Sequence, residues 1–250
     1  MSFLLRRTET LTAANAHENP RRTAQWLLNC AGQGELEAQA LLGQILLDGQ
    51  GIERDSALAR RWFSIAAERG HGMACNMLGR CHEHGWGGPI NLLSAVNCYQ
   101  TAAAQGLDWA MYNLANLLAT GRGCSLDLPQ AFSWYQRAAH LGHAKSMNLL
   151  GRFYEQGTVV AAQPEVALEW FRKSAEGGDF RGQFSYAGRL IEQGDISQAR
   201  IWLEKALATG NLNFINSACR SLAQLNHPQL LDIHAAYAQR QAVIANLQTA

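Results

Sequence analysis

The sequence predicts an all-α, right-handed α-solenoid, a superhelix of stacked antiparallel helix pairs with a 36-residue repeat. Three observations predict it. Gly34, Gly70, Gly106, Gly142 and Gly178 follow one another at one constant interval of 36 residues. Ala31, Ala67, Ala103, Ala139 and Ala175 keep the same interval, three residues ahead of those glycines. Trp26, Trp62, Trp134 and Trp170 hold a third position in register, with Cys98 substituting once. A period of roughly 20 to 50 residues marks stacked supersecondary units, each of which buries its apolar face against its neighbours.

Taken in order, residues 1–19 read as an N-terminal lead-in, 20–212 as the repeat array and 213–250 as C-terminal capping helices. Asn19-Pro20 opens the first helix, since proline is tolerated in a first turn, and Gly34 closes it. Four first helices then carry Ala38, Ala74, Ala110 and Ser146, with a large aliphatic residue four positions on at Leu42, Leu78, Leu114 and Leu150. The next position is small: Gly43, Gly79, Ala115 and Gly151. A glycine inside a helix costs about 1 kcal/mol against alanine. Its repetition therefore predicts close approach of the paired helix, and the bulky indole is the expected neighbour. Gly49, Gly85, Gly121 and Gly157 end these helices. The second helices show apolar residues at i, i+3, i+4 and i+7, as in Ala131, Trp134, Tyr135, Ala138 and Ala139. The tryptophan stripe is read as core. The fifth unit, 182–210, has a shortened Gln193-Gly194-Asp195 turn, and helices at 214–226 and Pro228–Gln248 close the array.

These residues resemble the Sel-1-like repeat family, a relative of the tetratricopeptide repeat. Its pattern is legible as Ala38, Leu42, Gly43, Gly49, Gly51, Ile52, Asp55, Ala59, Trp62, Phe63, Ala66, Ala67 and Gly70, and again from Ala110 to Gly142. Departures are Cys98 for Trp, and Leu46, His82 and Leu118 where the family has the Tyr kept at Tyr154. The turn Gly157-Thr158-Val159 is also degraded. The resemblance implies an α-superhelical adaptor for protein complexes, with no catalytic residues and no cofactor. A hydrolase or metal-dependent enzyme on the same repeat fold is the rival reading.

Charge and composition narrow the function further. Lys and Arg number 21 against 20 Asp and Glu, a net charge of +1 that lacks the basic footprint of a nucleic-acid binder. No run approaches the ~18 apolar residues of a membrane span. The apolar run Phe3-Leu4-Leu5 is too short for a secretory signal, and Arg6-Arg7 follows it. Six cysteines without regular spacing, Cys30, Cys75, Cys81, Cys98, Cys124 and Cys219, suggest reduced thiols and a cytoplasmic protein.

Gly49-x-Gly51, Gly85-x-Gly87 and Gly121-x-Gly123 recur once per unit and follow no strand, so they are inter-helix turns rather than phosphate loops. Cys81-His82-Glu83-His84 is the one metal-like cluster. His82 holds a packing position and should be half-buried, whereas His84 points about 200° away along a helix, so no metal site is expected. Binding residues are sought instead on the variable face of the first helices, which line the inner side of helical-pair solenoids. That face presents Asn76, Arg80 and His84, then Tyr112 and Asn116, then Asn148 and Arg152. Amide and guanidinium pairs one turn apart suit an acidic or carboxylate-ended protein or peptide segment. Trp86 and Trp109 replace mostly polar register-mates and are read as half-exposed binding candidates.

Overall fold

The computed structural model describes residues 19–249, with side chains through Ala245. All but Asn19 of the 1–19 lead-in therefore lies outside the described residues. Thirteen α-helices and one short 3-10 turn account for the described secondary structure, and no strand occurs among those residues. The helices fall into two compact units that divide after Asp127. Unit 1 holds α1 (Pro20–Gly32), α2 (Leu36–Asp48), α3 (Ser56–Glu68), α4 (Gly72–His84), α5 (Leu92–Ala104) and α6 (Asp108–Thr120). Unit 2 holds α7 (Leu128–His140), α8 (Ala144–Gln156), α9 (Pro164–Glu176), α10 (Phe180–Glu192), α11 (Ile196–Thr209), α12 (Leu212–Leu225) and α13 (Leu231–Thr249). Within each unit, helices consecutive in the chain pack against one another, α11 and α12 excepted, which makes the protein an α-solenoid of helix pairs.

Capping explains where the helices start and stop. Gly49, Gly85, Gly121 and Gly157 adopt left-handed backbone and end α2, α4, α6 and α8, as their register predicts. The chain then returns with one recurring hydrogen bond. The backbone N–H groups of Asp55, Asn91, Asp127 and Gln163 donate to the carbonyls of Leu46, His82, Leu118 and Tyr154 at 2.8–3.0 Å. The Asp55 and Asn91 side chains next accept from the N–H groups of Leu58 and Ser94, capping α3 and α5. The second glycine of the turn has a separate task. Gly87 has φ +73° and lies so close to the start of α3 that a Cβ would strike the Ser56 carbonyl oxygen. Gly51 stands in the same way against the Pro20 carbonyl.

The structure corrects one expectation about the core. The recurring Trp26, Trp62, Trp134 and Trp170 are half-buried, not core. The fully enclosed ring belongs to the next residue, at Phe63, Tyr99 and Phe171, each 0–1% exposed. Small buried residues four before and three after it, such as Ala59 and Ala66, complete the inward stripe. The helix glycines answer to these rings and not to the indoles. A Cβ on Gly43 would come within 2.7 Å of Phe63, one on Gly79 within 2.7 Å of Tyr99, and one on Gly151 within 2.7 Å of Phe171. Instead of inserting, the indoles of Trp134, Trp170 and Trp202 lie under Arg137, Lys173 and Lys205, at 4.4, 4.7 and 4.0 Å.

His143, at the N-cap of α8, makes folding sensitive to pH. Its Nδ1 accepts from the Ser146 N–H and lies 2.9 Å from the Ser146 hydroxyl. Burial, with a smaller contribution from Lys145, pulls its pKa down to about 3. Below pH ~6.5 the unfolded chain takes up a proton that the folded chain refuses. Stability should therefore fall as pH drops, by about 1.4 kcal/mol per unit, until the folded-state value is reached. The check is urea unfolding of wild type and His143→Asn, which keeps a capping oxygen. Between pH 7 and 5 the wild type should lose about 2 kcal/mol more than the variant. Parallel losses would show that His143 does not carry the effect.

Candidate functional site

In unit 2 the first helices α8, α10 and α12 line an open cleft of about 360 Å³. Asn148 and Arg152 of α8 line it one turn apart, with Arg181, Phe184 and Ser185 of α10 and Asn213, Phe214 and Ser217 of α12. Both arginines are exposed at their own helix surfaces, and Arg181 lies over the Phe180 ring at 4.7 Å. Asp179, the N-cap of α10, is buried, accepts from the Gly182 N–H at 2.9 Å and interacts electrostatically with Arg181. Among the described residues neither Arg152 nor Arg181 forms an ion pair with a carboxylate. Asn148 is 4% exposed, and among the described residues its Oδ1 has no hydrogen-bond donor. The cleft is thus rich in donors along one wall and aromatic along another, with Phe184 and Phe214 in edge contact at 5.7 Å.

The corresponding residues of unit 1 are arranged differently. Asn76 shares the register and burial of Asn148, but its Oδ1 receives the Asn113 amide at 3.0 Å. It therefore ties α4 to α6 and is not open to a partner. Arg80 lies over the Trp86 indole at 4.9 Å, and His84 packs on the same ring at 4.9 Å. These three form one patch, with Trp86 half-buried as expected. Trp109 is also half-buried and meets Tyr112 edge-on at 6.3 Å, while Asn116 is half-buried further along α6. Sequence reasoning reached Asn148 and Arg152 but missed Arg181, Phe184, Asn213 and Phe214. Arg181 stands in the register of Trp109, and the 213/217 pair continues the i, i+4 spacing; the shortened turn before α11 hid that continuity.

The metal-like run is dispersed by its neighbours. Cys81 is buried, and burial pushes its thiol up to about 11, the mark of an inert core cysteine. His82 is half-buried and sits 3.2 Å from the Arg60 guanidinium. Glu83 accepts from the Tyr99 hydroxyl at 2.8 Å and from Arg122 at 3.0 Å. Among the described residues no group of three or more His, Cys, Asp or Glu could hold a metal ion. Nor is any described helix long and apolar enough to cross a membrane. All six cysteines are free thiols in the structure.

Repeated helix pairs, a shared turn and a first-helix cleft define a helical repeat protein of the tetratricopeptide-like class. The Sel1 repeat model matches residues 36–71, 72–107, 110–143, 144–179 and 181–211. The chain belongs to the Sel1 repeat family. A Sel1 repeat protein from Oxalobacter formigenes is 25% identical with a TM-score of 0.74, over 90% of this chain and 97% of that one. The antigen c5321 of uropathogenic Escherichia coli, a protective antigen displaying the same repeat fold, is 28% identical with a TM-score of 0.71. That match covers 93% of this chain and about half, 51%, of the antigen. An immunity protein from Pseudomonas aeruginosa, Pa5087, shares the fold at 18% identity and a TM-score of 0.56, over 86% and 81% of the two chains. No curated protein matches the chain.

Proposed function

We propose that the protein is a non-catalytic interaction scaffold whose first helices α8, α10 and α12 hold an acidic or carboxylate-ended segment of a protein partner. The observation that carries this reading is the cleft lined by both Arg152 and Arg181, neither of which forms an ion pair among the described residues. Guanidinium forks favour carboxylate, and amides beside them suit a peptide backbone. The patch of Arg80, His84 and Trp86 in unit 1 offers a separate contact area, with the Trp and Arg composition enriched at binding hot spots. Trp109, Tyr112 and Asn116 extend the candidates along α6. A cytoplasmic setting suits six cysteines with no regular pairing.

The test is capture of the native partner by wild type and by Arg152→Ala/Arg181→Ala. Each lost charge-assisted contact should cost roughly 1.5–3 kcal/mol, so the double variant should lose the partner. Both side chains are exposed, so helicity and melting should stay at wild-type values. Capture by wild type should also weaken with added salt. Undiminished capture by the double variant would move the site elsewhere, with the Trp86 patch next to be tested.

A further inference from the structure

We propose that Cys75 of α4 and Cys98 of α5 form an oxidation site, which a hydroperoxide closes into a disulfide bridging the two helices. The site stands apart from the scaffold reading and does not depend on it. Its first support is register. Cys98 stands where other units carry Trp62, Trp134 and Trp170, and Cys75 where they carry Gln39, Met111 and Met147. No other unit has a cysteine at either position, and here both fall on the two helices of one pair. The second support is contact. Gly79 lets α5 come close, since a Cβ there would lie 3.2 Å from the Cys98 Cβ. Cys75 is one turn before Gly79 and therefore on the same face of α4. Its thiol donates to the Cys98 carbonyl oxygen at 3.3 Å, and the two thiols are hydrogen-bonded to each other.

The chemistry of the pair differs from that of Cys81 nearby, which is fully enclosed and held as a thiol. Cys98 is half-buried, so the pair is reachable from solvent. The hydrogen bond from the Cys98 thiol lowers the pKa of Cys75 against the opposing effect of burial. That same contact, and then burial, raise the pKa of Cys98. One sulfur is thus suited to be the thiolate, the reactive form in oxidation, and the other to keep its proton. The Cys75 thiolate attacks one oxygen of the hydroperoxide, and the O–O bond breaks. The other oxygen leaves with the bonding pair and takes up the proton that Cys75 had released. The Cys98 sulfur then attacks the sulfenic acid on Cys75; the S–S bond forms, the S–O bond breaks, and the Cys98 proton leaves with that oxygen as water. Two thiols lose two electrons and two protons, and the hydroperoxide gains both. The product fastens α4, which carries Arg80, His84 and Trp86, to α5 across the Gly85-x-Gly87 turn.

The experiment treats the full, reduced chain with hydrogen peroxide, alkylates it in denaturant and maps the thiols by mass spectrometry. Trypsin and a glutamate-specific protease cut after Arg80 and Glu83, which puts Cys75, Cys81 and Cys98 on separate peptides. Wild type should lose two of its six alkylatable thiols, with the Cys75 and Cys98 peptides joined, and dithiothreitol should restore all six. In Cys98→Ser the joined peptides should be absent, and Cys75 should stop at a sulfenic acid that dimedone traps. In Cys75→Ser the Cys98 thiol should stay alkylatable. The map of the wild type decides the matter if either variant fails to fold. Six alkylatable thiols after prolonged treatment with excess peroxide overturn the proposal. So does a bond in which Cys81 or any other thiol replaces either member of the pair.

Discussion

Phe171→Ala should destabilise unit 2 by about 3–5 kcal/mol, while Trp170→Ala, one residue earlier, should cost about half as much. Phe171 is enclosed between α8 and α9, with its ring in the space that Gly151 leaves open. Truncation leaves a cavity that a helix backbone cannot fill by small shifts. The Trp170 indole keeps one face at the surface, under Lys173 and against the His140 ring at 5.5 Å. Its loss removes surface packing and a cation contact but opens no void. Urea titrations of the two variants, followed by circular dichroism, give the comparison directly. If Trp170→Ala proves the more damaging, the assignment of the core ring is wrong.

The second large effect is expected at Gly87. Gly70→Ala and Gly87→Ala place the same methyl on left-handed backbone, at φ +88° and +73°. Nothing lies within 4 Å of the Gly70 position, so that change should cost roughly 1–2 kcal/mol of conformational strain alone. At Gly87 the methyl meets the Ser56 carbonyl and the start of α3, which are backbone and cannot rotate away. Strain and overpacking together should reach about 3–4 kcal/mol. Denaturant midpoints of the two variants separate these contributions, and equal losses would mean that the turn does not bear on α3.

Much of this architecture was legible because the repeat fixes a register. Interval and capping residues gave the helix ends of the repeat array to within two residues, and the left-handed glycines fell where expected; the last helix begins three residues later than read, after a 3-10 turn at Pro228–Leu230. Recurrence alone could not say which of two neighbouring aromatics is enclosed. Trp62 and Phe63 are both large and apolar, and one step along a helix turns the side chain by about 100°. The discriminating signal was the cation three residues after Trp134, Trp170 and Trp202, which marks a ring reachable from solvent. The candidate site was half legible for a related reason. Asn76-Arg80 and Asn148-Arg152 look equivalent when repeats are aligned, because alignment compares like positions. What separates them is the partner on the following first helix, Asn113 in one case and Ser185 in the other.

The returning hydrogen bond after each first helix has an evolutionary consequence. It is made to the carbonyl of residue 46, 82, 118 or 154 and never to the side chain there. The family's tyrosine at that position can therefore give way to leucine or histidine without undoing the turn. In this chain it has done so three times, and only Tyr154 keeps the ring. A consensus residue can thus drift away while the joint it marks persists. Relatives of this protein can consequently diverge at their most recognisable positions while their helices stay in step.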